Sequence, residues 1–229
     1  MKVLGIIPAR GGSKGLPRKN IKTICGKPLI EWTINSAKAS NVISDIFIST
    51  DDEEIAEIVR SLGMEVPFLR PKKFAQDDSS TFDVIKHVLD SYSNDFDYII
   101  LLEPTSPMRT ADDIDNAFNL LLKYKHKSIV GIAKIESQHP SFSVWKNIDG
   151  TIKSVIDMAG KAVRRQEVDD IYYYEGSLYI SEVREYLRRK TFYHESTMGF
   201  VMPKYKSLEI DDLDDFIMTE SLMRYYGYK

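Results

Sequence analysis

Ile6-Ile7-Pro8-Ala9-Arg10-Gly11-Gly12-Ser13-Lys14-Gly15-Leu16-Pro17-Arg18-Lys19-Asn20 decides how the chain is read. The apolar run from Val3 to Ile7 that feeds it predicts a short buried strand. Behind the strand come three glycines, one hydroxyl and four cations. Glycines let backbone N–H groups turn inward and approach a ligand closely. A concave row of such groups binds anions. Arg10, Lys14, Arg18 and Lys19 add full positive charge suited to phosphate oxygens. With Gly12 and Ser13 they make a candidate triphosphate cradle at the mouth of an α/β sheet. Plainer roles compete: a tight strand connection, or a solvated basic loop. The spacing of Gly11, Gly12, Gly15 and Lys14 fits neither the P-loop nor the dinucleotide-binding pattern.

Composition narrows the class. At 229 residues, the chain suits one α/β domain spanning 1–229. Hydrophobic residues make up 43% and charged ones 28%, ordinary values for a globular protein. The net charge of −3 gives no reason to expect a nucleic-acid partner; the cations are concentrated locally, which favours a small anionic ligand. No apolar run approaches membrane-spanning length, and no signal peptide is read, so no membrane partner is expected. Cys25, the single cysteine, excludes an internal disulfide and fits a reducing, cytoplasmic setting. The four histidines lie far apart, which argues against a His/Cys metal site.

Outward from the cradle, strand and helix signals alternate. Gly26-Lys27-Pro28 predicts a turn into a helix bearing Ile30, Thr33, Ile34 and Ala37. A strand is expected over Asp45 to Thr50. A helix capped by Asp51 or Asp52 follows, with Ile55, Ile58, Val59 and Leu62 on one face and Gly63 as its stop. Val66 to Leu69 predicts a third strand. A polar loop from Arg70 to Asp78 leads to Ser79-Ser80-Thr81 and a helix with Ile85, Val88 and Leu89. This order predicts a mostly parallel sheet with helices on both faces.

Tyr98 to Leu102 is the most apolar strand candidate, and it runs into Glu103-Pro104-Thr105-Ser106-Pro107-Met108-Arg109. Ligands of open α/β sheets bind beyond the carboxyl ends of strands, so Thr105, Ser106 and Arg109 are candidate ligand groups. Thr110 and Asp113 predict a capping box for the next helix. Ser128 to Ala133 predicts a further strand. Residues 136–174 break the pattern with a small aromatic-rich excursion whose hairpin turns at Asp149-Gly150. Strands are expected at Ser177 to Ile180 and Gly199 to Pro203, with a short basic helix opened by Ser181 between them.

Near the end, Glu209 and Asp211 flank Ile210. In a strand both carboxylates share one face and Ile210 enters the core. A carboxylate pair beside phosphates is what Mg²⁺ needs, because it keeps waters and uses few protein ligands. The competing role is negative charge at a helix N-terminus, open to Asp212, Asp214 and Asp215; Asp212 is expected at or near the cap and Asp215 in a structural role.

Ile7-Pro8-Ala9-Arg10-Gly11-Gly12-Ser13-Lys14-Gly15, followed by Lys19-Asn20, resembles the opening motif of the acylneuraminate cytidylyltransferases. The segment at Glu103 to Arg109 resembles that family's Leu-Leu-Gln-Pro-Thr-Ser-Pro-Leu-Arg. The resemblance implies a Rossmann-like nucleotide-sugar transferase fold and CMP transfer from CTP to a nine-carbon keto-sugar acid. It implies Mg²⁺ as cofactor, held by Asp211 and Glu209, and a homodimer built on the 136–174 excursion, for which a lid is the alternative. It assigns catalysis to Asp211, Lys19 and Arg10. Asn20 would meet the base edge, and Arg70 and Ser80 would lie beside nucleotide and sugar. Arg165 and Gln166 match a basic pair near the phosphates. Departures are Glu103 where the family carries glutamine, Glu209 where it carries aspartate, and Tyr173-Tyr174-Glu175-Gly176 where sialic-acid enzymes have Arg and then Asn-Gly. These leave room for a legionaminic- or pseudaminic-type acceptor. The rival readings are a cytidylyltransferase for another keto-sugar acid, such as an eight-carbon one, and a non-catalytic nucleotide-binding relative.

Overall fold

Val3–Pro8 forms strand β1 because five successive apolar or small residues can be buried on both faces of a sheet. The chain is described from a computed structural model covering residues 1–92, 95–136, 138–156, 164 and 167–228. Two-residue strands β2 (Thr23–Ile24) and β3 (Lys27–Pro28) lead into helix α1 (Leu29–Ala39). Strand β4 (Asp45–Ser49), helix α2 (Glu53–Ser61), helix α3 (Thr81–Ser91) and strand β5 (Tyr98–Leu101) follow. Next come α4 (Ala111–Lys123), β6 (Ser128–Lys134), the hairpin of β7 (Val144–Lys146) and β8 (Ile152–Ser154), and the long β9 (Tyr172–Glu182). The chain continues through α5 (Val183–Arg189), β10 (Met198–Val201) and α6 (Leu213–Tyr225).

The main sheet has the order β10-β6-β9-β5-β1-β4. Strand β1 pairs in parallel with β4 and β5, and β10 in parallel with β6. Only β9 runs antiparallel, between β5 and β6. The expected mostly parallel sheet is therefore present. One face packs on α1, α2 and α4 through Ile34, Ile55, Val59, Ala117 and Leu121. The other packs on α3 and α5 through Ile85, Val88 and Tyr186. Each such aliphatic side chain contributes about 1.5–3 kcal/mol on burial. A third cluster, Leu16, Ile24, Leu29, Met108, Ile210 and Phe216, fastens α6 across the carboxyl end of the sheet. That cluster brings the segment after β10 back to the loop after β1.

Helix starts follow local chemistry. The Asp52 carboxylate accepts the Ile55 N–H at 3.0 Å. Capping boxes form at Thr110 with Asp113 and at Asp212 with Asp215. An N-cap of this kind is worth about 1 kcal/mol. Gly63 ends α2 with φ 74°, in the left-handed region.

Some expectations need correction. Residues 66–69 form no strand, although Val66 is buried. Pro67 lies inside the segment and cannot donate to a ladder, so the chain crosses the β4 edge unpaired. Pro28 precedes α1 as its cap residue, closing the small β2–β3 hairpin. Glu182, not Ser181, caps α5; the Ser181 hydroxyl instead bonds the Ser128 hydroxyl at 2.8 Å. β9 begins five residues before the expected Ser177. Its pairing with β6 breaks at a bulge, where 175–178 face the single residue Gly131.

Candidate active site

The carboxyl ends of β1, β4 and β5 open on the same edge of the sheet. A cavity of about 540 Å³ occupies this edge. The loop after β1 supplies Arg10, Ser13, Lys14, Gly15, Lys19 and Asn20 to its wall. The loop before α3 supplies Arg70, Phe74, Gln76, Asp77 and Ser79. Glu103, Pro104 and Thr105 come from the end of β5, and Glu209 and Asp211 from the segment before α6. The N-terminal cations and the C-terminal carboxylates, some two hundred positions apart in sequence, thus face one space.

Contacts between the two ends are direct. The Lys19 ammonium donates to the Ile210 carbonyl at 2.7 Å and lies 3.2 Å from the Asp211 carboxylate. A Cβ at Gly15 would stand 2.3 Å from the Asp211 carbonyl oxygen, so only glycine lets these backbones meet. The Ile210 N–H donates to the Thr105 carbonyl at 2.9 Å, and Ile210 is buried in the third cluster. Residues 208–211 join no sheet; the bonds of Ile210 to Thr105 and Lys19 and the burial of its side chain turn Glu209 and Asp211 to the cavity. The Thr105 hydroxyl donates to Glu209 at 3.2 Å.

The cradle differs from a plain nest of glycines. The Gly11 N–H is taken by the Asp51 carboxylate at 3.1 Å. None of Gly11, Gly12 and Gly15 adopts positive φ. Gly12 is exposed and does not line the cavity. Arg18 turns away, held bidentately by Asp52 at 2.7 and 3.2 Å, with Glu54 alongside. Arg10, Lys14 and Lys19 are left as the cavity's cations from this loop. Asn20 is buried and its amide donates to the Arg10 carbonyl at 3.0 Å, which fixes the orientation of both.

Other candidates have different duties. Ser80 caps α3, accepting the Asp83 N–H at 3.1 Å, while its neighbours Ser79 and Thr81 line the cavity. Ser106 is fully buried behind the cavity wall. Arg109 is also buried, only 2% exposed, and donates to the carbonyls of Ser177 at 2.5 Å and Glu103 at 3.3 Å. Those bonds tie the end of β5 to the β9 bulge, so Arg109 supports the site from behind. Arg165 and Gln166 lie outside the described residues. Phe192 belongs to the second core cluster, whereas Tyr193 is exposed against Tyr174 and Tyr179. Asp77 was given no role by the sequence. Its sole sequence signal was negative charge in a polar loop.

Burial and like charge set the protonation of the wall. Desolvation pushes Glu103 up to about 7, with the Glu209 charge adding to it and Arg109, Arg70 and Lys19 opposing. Among the described residues nothing hydrogen-bonds its carboxylate. Glu209, open to the cavity yet deep within it, is raised by desolvation and then by Asp211. Glu175, 2% exposed, is raised by burial despite hydrogen bonds from Ser177. Arg70 is lowered by burial, and Asp51 at 3.8 Å partly compensates. Gly176, with φ 81°, lies under Glu209; a Cβ there would meet Glu209 at 2.7 Å.

No group of three or more His, Cys, Asp or Glu residues suited to a metal occurs among the described residues. A pair, Glu209 and Asp211, does face the cavity beside its cations. Such a pair fits an ion like Mg²⁺, which completes its shell with water and substrate phosphates.

An open α/β sheet with cations and a carboxylate pair at its carboxyl edge defines a nucleotide-binding type of protein. The sequence signature of the cytidylyltransferases matches residues 4–228, and the chain belongs to that family. It is 37% identical to an N-acylneuraminate cytidylyltransferase of Streptococcus agalactiae, over 95% of this chain and 52% of that one. The chain thus spans about half the length of that relative. It is 34% identical to a CMP-N,N'-diacetyllegionaminic acid synthase of Legionella pneumophila, over 97% of both chains. Its fold matches that of a CMP:2-keto-3-deoxy-manno-octonic acid synthetase in complex with CTP at a TM-score of 0.72 and 18% identity. That match covers 99% of this chain and 100% of that one. Among the described residues no helix is long and apolar enough to cross a membrane.

Proposed function

We propose that the chain transfers CMP from CTP to the anomeric hydroxyl of a nonulosonic acid of sialic, legionaminic or pseudaminic type, releasing pyrophosphate. The observation that carries this reading is the shared cavity, with Arg10, Lys14 and Lys19 on one side and Glu209 and Asp211 on the other. The anomeric oxygen forms a bond to the α-phosphorus, the bond to the bridging α–β oxygen breaks, and the hydroxyl proton leaves. Most of the acceleration comes from alignment and charge neutralisation. Arg10 and Lys14 bind phosphate oxygens. Lys19 has a second duty beyond phosphate: through the Ile210 carbonyl and Asp211 it fixes where the carboxylate pair stands. Mg²⁺ held by Asp211 and Glu209 would neutralise phosphate charge and acidify the attacking hydroxyl. Asn20 would meet the base edge, and Arg70 the anionic part of either substrate.

The second copy of a homodimer is assigned to the β7–β8 hairpin. Val144, Trp145, Ile148 and Ile152 are all exposed there, an apolar set that a lone chain leaves wet. The decisive assay is pyrophosphate release from CTP with Mg²⁺ and a panel of eight- and nine-carbon keto-sugar acids. The reading predicts release that depends on a nine-carbon acid. Release only with an eight-carbon acid supports the other keto-sugar reading, and CTP binding with no release from any acid supports a non-catalytic protein.

A further inference from the structure

The two most exposed cations of the cavity are already occupied by the protein itself. Asp77 Oδ1 accepts from Arg10 Nη1 at 2.7 Å, and Asp77 Oδ2 lies 2.5 Å from Lys14 Nζ. One carboxylate thus bridges two cations with one oxygen on each, as a phosphate group would. Asp77 lines the same cavity as both partners. The loop that carries it is a self-bonded unit. The Arg70 N–H donates to the Thr50 carbonyl at 2.6 Å and pins its start. Within it, Ser79 Oγ accepts the Gln76 N–H at 2.9 Å and donates to the Lys73 carbonyl at 3.1 Å. The Ser80 cap of α3 pins its end.

We infer that Asp77 is a built-in competitor for the phosphate-binding cations, so that nucleotide binding exchanges this carboxylate for phosphate oxygens and frees the loop at 71–79 from the cradle. The inference rests on the phosphate role proposed for Arg10 and Lys14. Without a counter-ion those two cations, brought to one wall, would repel each other and spread into solvent. The carboxylate holds them together on one wall of the cavity. The same contact weakens affinity for any ligand that needs both cations, because both ion pairs must break first. Asp77 therefore sets how tightly CTP is held, and it makes a ligand of low charge a poor displacer. All three groups are solvent-accessible, so the exchange is easy in either direction.

Calorimetric titration of CTP into the wild-type chain, Asp77→Asn and Asp77→Glu at one ionic strength tests this. Removing the carboxylate should tighten CTP binding about three- to tenfold, the range expected for two exposed ion pairs. Asp77→Glu keeps the charge and should stay close to wild type. Unchanged or weaker CTP binding by Asp77→Asn overturns the inference while leaving the phosphate cradle intact. Equal tightening in Asp77→Glu also overturns it, since charge would then not be the cause. If none of the three binds CTP, the cradle reading itself fails, and the inference fails with it.

Discussion

Replacing Glu103 by glutamine should remove a pH-dependent cost from the folded state. The carboxyl stands near 7 when folded against an ordinary 4.5, chiefly because it is desolvated at the end of β5. Between those values the folded chain keeps a proton that the unfolded chain releases. The Glu103 contribution to stability is therefore most favourable below about pH 4.5 and falls as pH rises to 7. The gap of about 2.5 pH units, at about 1.4 kcal/mol per unit, comes to about 3.5 kcal/mol. Cavity water reaches the carboxylate and screens part of this, so about 2–3 kcal/mol is expected. Glu209 and Glu175 are raised as well and shape the wild-type profile. The comparison with Glu103→Gln isolates the Glu103 share. Urea unfolding of both proteins at pH 4.5 to 8 supplies the test. The two should be nearly equal at the acid end, with the variant about 2–3 kcal/mol more stable at pH 8. Parallel profiles across that range would refute the assigned burial and charge of Glu103.

Asp211→Ala should abolish pyrophosphate release while circular dichroism shows an intact fold, because the side chain is exposed and, among the described residues, only Lys19 pairs with it. Lys19→Ala should weaken CTP binding; unchanged affinity by calorimetry would count against its place in the cradle. Gly15→Ala drives a methyl into the Asp211 carbonyl and should cost about 1–3 kcal/mol of stability together with most of the turnover. Trp145→Asp, at a position 63% exposed on the hairpin, should shift a sedimenting dimer to monomer; a monomeric wild type would remove the hairpin's proposed role.

What the sequence made legible is mostly local. The Thr110–Asp113 box, the Asp212 cap, the Gly63 stop and the Asp149-Gly150 turn each depend on residues within a few positions of one another. Where tertiary contacts decide, the reading ran out. Nothing near Arg109 announces that its guanidinium runs inward to the Ser177 carbonyl rather than to a ligand. Arg18 looks like its neighbours in the cradle, yet Asp52, a helix cap from another element, claims it. Likewise Ser177 to Ile180 reads as a short strand by itself; the bulge that shelters Glu175 against Gly131 becomes visible only when β6 is in place. The Glu209–Asp211 pair was expected in a strand. It reaches the cavity by a different route, through hydrogen bonds to Thr105 and Lys19 and the burial of Ile210.

Two distant parts of the chain should grip the same nucleotide, and a crystal structure with bound CTP examines that most directly. The triphosphate should contact Arg10 and Lys14 and turn its α-phosphate toward Asp211. CTP seated elsewhere, or held with its phosphates facing away from Asp211, would contradict it.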